Sequence, residues 1–295
     1  MTQDKVLGVF TSFDSLTTLE RELVLGTWQV AENAYVPRSS FPVGCVILAE
    51  NSRGETKSFA GCNMENRFFP STICAERTAA GAANAAGYRK FLKVALVCKN
   101  YQGPGSSSCG LCRQVLTEFG RDAIILGMAD KQNNVFKFPV SDLLPPATGQ
   151  IVPAAQQSAA TRRLVKRVAA LQAKAYVPYS KRPHAAVFVA SNSHGVTRHF
   201  PGVSDDNASY GGSALADCVA MRSARTAGYD RKVTLVSTVA DLHAPNPIEG
   251  ECLQVLREFG LEGQILLVGP DGSVVFTSLV ELLPDSFGPH SVVSA

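Results

Sequence analysis

The chain has little of several things that define whole classes of protein. It contains one tryptophan in 295 residues, and its formal net charge is only +3. The basic residues are scattered among acidic ones, so the sequence shows no basic groove with interleaved aromatic side chains for a nucleic acid. No apolar run approaches the roughly 18 residues that a membrane-spanning helix needs. We therefore expect neither a nucleic acid nor a membrane as partner.

The sequence also lacks a recognisable export signal. The N-terminal stretch MTQDKVLGVFTSFDSLT carries acidic residues and no long apolar segment, which is unlike a secretory signal. We therefore expect a cytoplasmic protein, whose thiols stay reduced. On that expectation the eight cysteines are core residues, metal ligands or nucleophiles rather than disulfides.

The sequence is a tandem duplication. Four segments of the first half recur in the same order in the second half, and their offset changes by only a residue or two. The pairs are AYVPRSSFPVG at 34–44 with AYVPYSKRPHA at 175–185, AAGYRK at 85–90 with TAGYDR at 226–231, CRQVLTEFG at 112–120 with CLQVLREFG at 252–260, and DLLPPATG at 142–149 with ELLPDSFG at 281–288. This period far exceeds the about 20–50 residues of a repeat array, so it indicates a duplicated domain.

Each copy alternates amphipathic helices with apolar strands. This pattern predicts an α/β fold of two tandem three-layer α/β/α units, each a mixed sheet covered by helices. The Pro-, Ala- and Gln-rich stretch from Pro145 to Ala160 predicts the linker, which places the domains at residues 1-150 and 151-295. In the first copy we expect a helix from about Thr72 to Ala86 and a shorter one from about Ser108 to Phe119.

Three cysteines of the first copy lie at the predicted helix starts. Cys74 begins one helix, with Glu76 two residues on, and Cys109 and Cys112 begin the other on a shared helix face. Helix starts present free N–H groups and a positive dipole end, which favour thiolate over thiol. Three thiolates converging there suit zinc, and three protein ligands with an open fourth position are typical of a catalytic zinc site.

The second copy has lost this set of residues. The counterparts of Cys74, Glu76, Cys109 and Cys112 are, in order, Leu215, Asp217, Glu249 and Cys252. All five histidines fall in the second copy, so zinc in the first copy must rest on cysteine with carboxylate or water. We expect one zinc ion per chain, in the first copy, and a second copy that no longer binds metal. The other cysteines of the first copy lie in apolar, strand-like context, which favours the core: Cys45, Cys62 and Cys98.

Four segments, SFPVG, GCNMEN, TICAERTA and SCGLCRQVLTEF, resemble the cytidine deaminase family in their order and spacing. The resemblance covers most of residues 20–140 and, in degenerate form, 162–289. It implies zinc-dependent hydrolytic deamination of cytidine and deoxycytidine to uridine and deoxyuridine with release of ammonia, a reaction of pyrimidine salvage. It also implies that residues 1-150 form the catalytic domain and residues 151-295 a degenerate, non-catalytic deaminase-like domain.

The resemblance assigns roles to particular residues. Cys74, Cys109 and Cys112 become the zinc ligands, and Glu76 carries protons while a zinc-activated water attacks C4 of cytosine. Arg77 is implied to donate hydrogen bonds to the ligand thiolates, since three thiolates give the zinc centre a net negative charge. The implied substrate contacts are a ring stacked on the pyrimidine, two groups for one sugar hydroxyl, and a main-chain N–H for the pyrimidine O2: Phe41, Asn63, Glu65 and Ala75.

Two loops suggest how the second copy contributes. It keeps NASYG and SFGP, where the first copy has NRFFP and ATGQ. These stretches resemble loops that reach into a neighbour's pocket in single-unit members of the family. Tyr210 and Phe287 are therefore predicted lid contacts from the partner subunit of a homodimer. The alternative is that the second copy only completes the assembly, which also predicts a homodimer.

Other functions stay open at the level of the sequence. A deoxycytidylate deaminase needs a basic phosphate site, for which Arg67 is the local candidate. A polynucleotide cytosine or adenine deaminase needs a basic groove with stacking aromatics. A noncatalytic zinc-binding interaction module has no use for the carboxylate of Glu76 beside the metal.

Overall fold

The computed structural model describes residues 8–100, 108–129 and 134–291. Within these ranges the chain forms two compact units, one of residues up to 144 together with 284–291, and the other of residues 145–283. The C-terminal segment from residue 284 thus packs with the first unit, although the duplication places it in the second copy. No helix in the described ranges is long and apolar enough to span a membrane.

The first unit alternates strands and helices along the chain. Its elements are β1 (Val9–Ser12), α1 (Thr18–Ala31), β2 (Val43–Asn51), β3 (Thr56–Cys62), α2 (Ala75–Ala85), β4 (Tyr88–Cys98), α3 (Gly110–Gly120), β5 (Ile124–Ala129) and β6 (Asn134–Pro139). The strands form one six-stranded sheet in the order β1-β6-β5-β4-β2-β3. Only the β4–β5 pair of this sheet is parallel, so the sheet is mixed, as the sequence predicts.

Helices cover both faces of this sheet because successive strand residues point to opposite sides. Val46 of β2 packs with Leu23 of α1 in one apolar cluster. The next residue, Ile47, packs with Ala79 of α2 and Leu116 of α3 in another. The unit is therefore a three-layer α/β/α sandwich, which confirms the fold class predicted from the sequence.

The second unit repeats this arrangement. Its elements are β7 (Ile151–Val152), α4 (Ala159–Gln172), β8 (Ala185–Ser191), β9 (Thr197–Val203), α5 (Ala216–Thr226), β10 (Arg231–Thr238), α6 (Gly250–Arg257), β11 (Gln264–Val268), β12 (Val274–Ser278) and α7 (Leu279–Leu282). The strand order is β7-β12-β11-β10-β8-β9, with β10 and β11 parallel. Each strand of this order occupies the place of its counterpart in the first unit.

One glycine in each unit sets how closely a site helix approaches the edge strand. A Cβ on Gly61 of β3 would lie 2.4 Å from the Ala79 nitrogen and 2.6 Å from the Ala75 oxygen of α2. A Cβ on its counterpart Gly202 would lie 2.1 Å from the Ala216 oxygen of α5. Any larger residue would push the helix away, so these glycines fix the positions of the helix starts.

The first helices of the two units begin differently. Thr17 and Glu20 form a capping box at the start of α1. The buried Glu20 carboxylate also contacts Lys93 and Lys137 at 2.8 and 2.7 Å. Burial alone would raise the pKa of Glu20, but hydrogen bonds from Lys137, Lys93 and Thr17 lower it to about 2. At the start of α4, Ser158 is the cap and Thr161 takes the place of Glu20.

Candidate active site

The structure brings three thiols of the first unit together. Cys74 and Cys109 are the N-cap residues of α2 and α3, and both have extended backbone and no side-chain capping bond. The sulfur of Cys109 lies 3.9 Å from that of Cys74 and 3.4 Å from that of Cys112. Because the two helices start at the same place, their free N–H groups and positive dipole ends meet around the sulfurs.

The spacing of these sulfurs fits zinc. A tetrahedral ion at about 2.3 Å from each sulfur separates the sulfurs by roughly 3.8 Å. The ligand atoms of Cys74, Cys109 and Cys112 all lie within 4.8 Å of one another. Thiolate ligands also bind zinc in preference to harder cations. The donor set and its spacing therefore match a zinc site with one position left for a further ligand.

The three thiols are electrostatically unequal. Contacts with the Cys112 and Cys74 thiols and with main-chain N–H groups of α3 lower the pKa of Cys109 well below its usual value. The Cys109 contact is the main cause that raises the pKa of Cys74 and of Cys112 well above the usual value. Cys109 is thus the thiol of the three that most favours the thiolate form.

Glu76 lies in the first turn of α2, two residues after Cys74, and only 4% of its surface is exposed. Burial is the main cause that raises its pKa, and the charge of Cys109 acts in the same direction. Interactions with Ser108 and Cys112 act against them. A buried carboxyl group with a raised pKa holds a proton more readily than an exposed one, which suits a group that accepts and returns protons.

Phe41 meets an aromatic ring from the far end of the chain. It is buried, with Cys98 beside it, and the Phe287 ring lies edge-on at a centroid distance of 5.9 Å. The sequence predicted a lid contact of Phe287 across a subunit interface. In the structure Phe287 reaches Phe41 within one chain, because residues 284–291 pack with the first unit. The predicted partner-subunit lid residue Tyr210 is 74% exposed and lies near Tyr179 in the second unit.

Arg113 is a residue that the sequence interpretation missed. It follows Cys112 on α3, it is fully buried, and its guanidinium donates to the carbonyls of Ser108 and Leu143. It also donates to the carbonyls of Pro284 and Asp285, at 2.6 and 2.7 Å. Arg113 therefore ties the metal-site helix to the segment that carries Phe287. The sequence did carry a signal for Arg113. Its counterpart in the second unit is the apolar Leu253, and a charged side chain at a helix position that is buried in both units indicates a specific role.

Asn63 and Glu65, the predicted sugar contacts, hold the main chain around Phe41. The Asn63 side chain accepts from the Val43 N–H and donates to the Phe41 carbonyl, both at 2.9 Å. The Glu65 carboxylate accepts from the N–H groups of Arg38 and Ser39. Although burial raises the pKa of Glu65, these hydrogen bonds lower it overall. Each side chain keeps spare hydrogen-bonding capacity, because an amide and a carboxylate each offer about four sites.

The remaining predicted residues lie near the cluster with fewer contacts. Ala75 is fully buried at the first position of α2, where its N–H belongs to the helix start. Arg77 is half-buried and lines a surface cavity with Tyr35 and Met64. Within the described ranges Arg77 makes no hydrogen bond or ion pair, so its predicted contact with the thiolates stays a prediction. The other cysteines of the unit do not join the metal cluster: Cys45, Cys62 and Cys98.

Known proteins resemble the first half of the chain. A family model described as "Cytidine and deoxycytidylate deaminase zinc-binding region" matches residues 19–128. A cytidine deaminase of Sporosarcina psychrophila is 38% identical over 126 residues, which are 43% of this chain and 88% of the relative. A cytidine deaminase of Mycoplasma genitalium is 37% identical over 115 residues, 39% of this chain and 84% of the relative.

A solved structure gives a further comparison. The crystal structure of cytidine deaminase from Burkholderia pseudomallei shares 35% identity with this chain, with a TM-score of 0.39. The match covers 44% of this chain and 98% of the Burkholderia chain. Three thiols that converge at two helix starts, with a buried carboxylate beside them on an α/β/α unit, define a zinc-binding deaminase domain. The chain belongs to the cytidine deaminase family, as the sequence motifs indicate.

Proposed function

We propose that the chain catalyses the hydrolytic deamination of cytidine and deoxycytidine, in which water replaces the C4 amino group and ammonia leaves. The products are uridine and deoxyuridine. The observation that carries the proposal is the buried Glu76 carboxyl group beside three thiols of zinc-binding spacing. A structural zinc site does not need a buried carboxyl group beside its thiols.

One zinc ion per chain is part of the proposal, with Cys74, Cys109 and Cys112 as its ligands. When bound, zinc supplies a water whose pKa is lowered to near neutrality, so that it serves as a nucleophile. The Glu76 carboxylate would take one proton from the attacking water and pass it to the ring N3. It would then take the second proton from the new hydroxyl on C4 and pass it to the amine, so that the C4–N bond breaks and ammonia leaves. Each transfer is local, because Glu76 follows the ligand Cys74 by two residues on the same helix start.

The other predicted residues position the substrate. The Ala75 N–H donates to the pyrimidine O2, and the Phe41 ring stacks on the base with Phe287 closing the same pocket edge. Asn63 and Glu65 bind one sugar hydroxyl through hydrogen-bonding sites that their contacts with the main chain do not use. Arg77 offsets the negative charge of three thiolates and zinc.

We also propose an oligomeric state and a cellular compartment, from the duplicated sequence and the free cysteines. The degenerate second copy of the sequence, residues 151-295, supports a homodimer, in which Tyr210 covers the partner's site. All eight cysteines are free, which fits the reducing cytoplasm. A Tyr210→Ala variant that stays dimeric should show a raised KM, and unchanged kinetics would remove Tyr210 from the site.

A chromatographic assay tests the function directly. The purified, zinc-containing chain should convert cytidine and deoxycytidine to uridine and deoxyuridine, with one ammonia released per product. Deoxycytidylate and single-stranded oligonucleotides should react far more slowly. Faster conversion of deoxycytidylate or of an oligonucleotide would overturn the nucleoside assignment. A zinc-replete protein with no turnover of any cytosine substrate would instead indicate a noncatalytic zinc-binding module.

A further inference from the structure

The second unit contains a different cluster of metal-binding side chains at the place of the lost thiols. One ligand atom each from His184, Asp217 and Glu249 lies within 4.8 Å of the others. Asp217 is in the first turn of α5, and Glu249 is the N-cap residue of α6. They replace Glu76 and Cys109, while His184 precedes β8 where the first unit has Val43. The sequence comparison recorded what was lost there and overlooked this combination.

Three carboxylate oxygens of this cluster have no hydrogen-bond partner within the part of the chain that the structure describes. Asp217 is fully buried, and neither of its oxygens has a hydrogen-bond partner in the described part of the chain. The Oε2 atom of Glu249 is buried and likewise has none among the described residues. Leaving one buried carboxylate unpaired costs several kcal/mol, and two adjacent ones repel each other. A cation held between the two carboxylates would remove both costs.

The His184 imidazole supplies the third possible ligand atom of the cluster. Its Nε2 atom lies 3.5 Å from Asp217 Oδ2, which is an ion-pair distance without a hydrogen bond to that oxygen. The same nitrogen lies 2.8 Å from the Ser237 hydroxyl. Ligand atoms around a cation at about 2.1 Å are roughly 3 to 3.5 Å apart. The observed separation therefore fits a shared cation, whose binding would exchange the Ser237 contact for a metal bond.

We propose that the second unit binds a divalent first-row transition-metal cation through His184, Asp217 and Glu249. Two carboxylate oxygens and one imidazole nitrogen favour a harder ion than three thiolates do, and Mn²⁺ or Fe²⁺ fits this set. The site is structural, because the counterpart of the proton-carrying Glu76 is Asp217, which is used here as a ligand. The cation would link the starts of α5 and α6 to the start of β8. This inference does not depend on the proposed deaminase activity.

The site should also be weaker than the zinc site of the first unit. One imidazole and two carboxylates leave several positions to water, and the partly exposed His184 gives the cation a way in and out. Dialysis should therefore leave one zinc at the thiols while emptying the second unit. This difference allows the two sites to be measured separately in the same full-length chain.

Titration with Mn²⁺, followed by electron paramagnetic resonance of the free ion, tests the proposal. The zinc-containing full chain should bind one Mn²⁺ saturably. Asp217→Asn and Glu249→Gln should each weaken this binding by roughly tenfold or more. The matched control is Glu251→Gln, which removes a surface charge two residues away that pairs with Arg222 and should leave the isotherm unchanged. No saturable binding, or binding that both ligand variants keep, would overturn the proposal.

A titration with Co²⁺ tests the proposal on the wild-type chain, so it does not depend on whether a variant folds. Added Co²⁺ bound by nitrogen and oxygen should produce visible d–d bands without a thiolate-to-cobalt charge-transfer band in the near ultraviolet. Mn²⁺ should suppress these bands by competition and should raise the Tm of the wild-type chain. A charge-transfer band alone would place the ion at the thiols and overturn the assignment to the second unit.

Discussion

The two units share one fold and differ in what stands at the same helix starts. In the first unit Cys74 and Cys109 are N-cap residues, and in the second these places belong to Leu215 and Glu249. The strand order, the parallel pair and the close helix approach at the glycine of the edge strand are kept. The scaffold thus fixes where a site lies, and the residues at the helix starts decide which chemistry it performs.

The first way to test this difference is to replace Glu76, the proton carrier that we propose. Glu76→Gln should keep the zinc and the fold, because the amide has the same shape, but kcat should fall by about 10²–10⁴-fold. The control Glu22→Gln changes an exposed carboxylate on α1 of the same unit and should leave kcat unchanged. Near-normal kcat in Glu76→Gln with full zinc content would remove Glu76 from the mechanism.

A second test transplants a residue of the second unit into the first. Arg113→Leu introduces the counterpart Leu253 and leaves four main-chain carbonyls without their donor. We expect a loss of about 3 kcal/mol in the free energy of unfolding. A raised KM should accompany it, because the segment carrying Phe287 loses its anchor. Denaturant titration and steady-state kinetics check both, and unchanged stability would show that other contacts hold this segment.

A third test uses acid, because α1 begins with a buried carboxylate that pairs with two lysines, whereas Thr161 stands at the same position of α4. The folded-state pKa of Glu20 is about 2, below its ordinary value of 4.5. Its stabilisation is therefore complete above about pH 4.5 and is lost as the pH falls toward 2. Glu20→Gln should cost about 1 to 2 kcal/mol at neutral pH, reduced by the partial exposure of both lysines. The stability difference between the two proteins should shrink over that acid range, and a constant difference would contradict the ion-pair account.

The smallest of these effects concerns the aromatic contact at the pocket. Phe287→Ala removes a ring pair worth about 0.5–1.5 kcal/mol, so kcat/KM should fall roughly two- to twelvefold. The half-exposed Phe276 of β12 supplies the control Phe276→Ala, which should leave kinetics unchanged. A Phe287→Ala protein with full zinc and normal kinetics would show that the contact with Phe41 has no part in substrate binding.

The sequence could predict the parts of this protein that local pattern determines. Apolar strand segments that alternate with amphipathic helices predicted both sheets, and the cysteines at helix starts predicted which side chains would meet. Contacts between distant segments were beyond reach, since Arg113 bonds to carbonyls 171 and 172 residues away. The hydrogen bonds from the Asn63 and Glu65 side chains to the main chain were missed, because a motif shows which residue is present and not which groups it contacts. His184 was overlooked since it has no functional counterpart at Val43.

The central claim is that the thiol cluster of the first unit alone carries zinc and turnover. Both units keep one cysteine at the same position of the corresponding helix, Cys112 and Cys252, and both are fully buried. The same substitution can therefore be made at corresponding positions of the two units. Zinc content and cytidine turnover are measured in Cys112→Ser and in Cys252→Ser. We predict that Cys112→Ser loses both and that Cys252→Ser keeps one zinc and near-normal kcat. Turnover and zinc that survive in Cys112→Ser, or zinc that disappears in Cys252→Ser, would contradict the account.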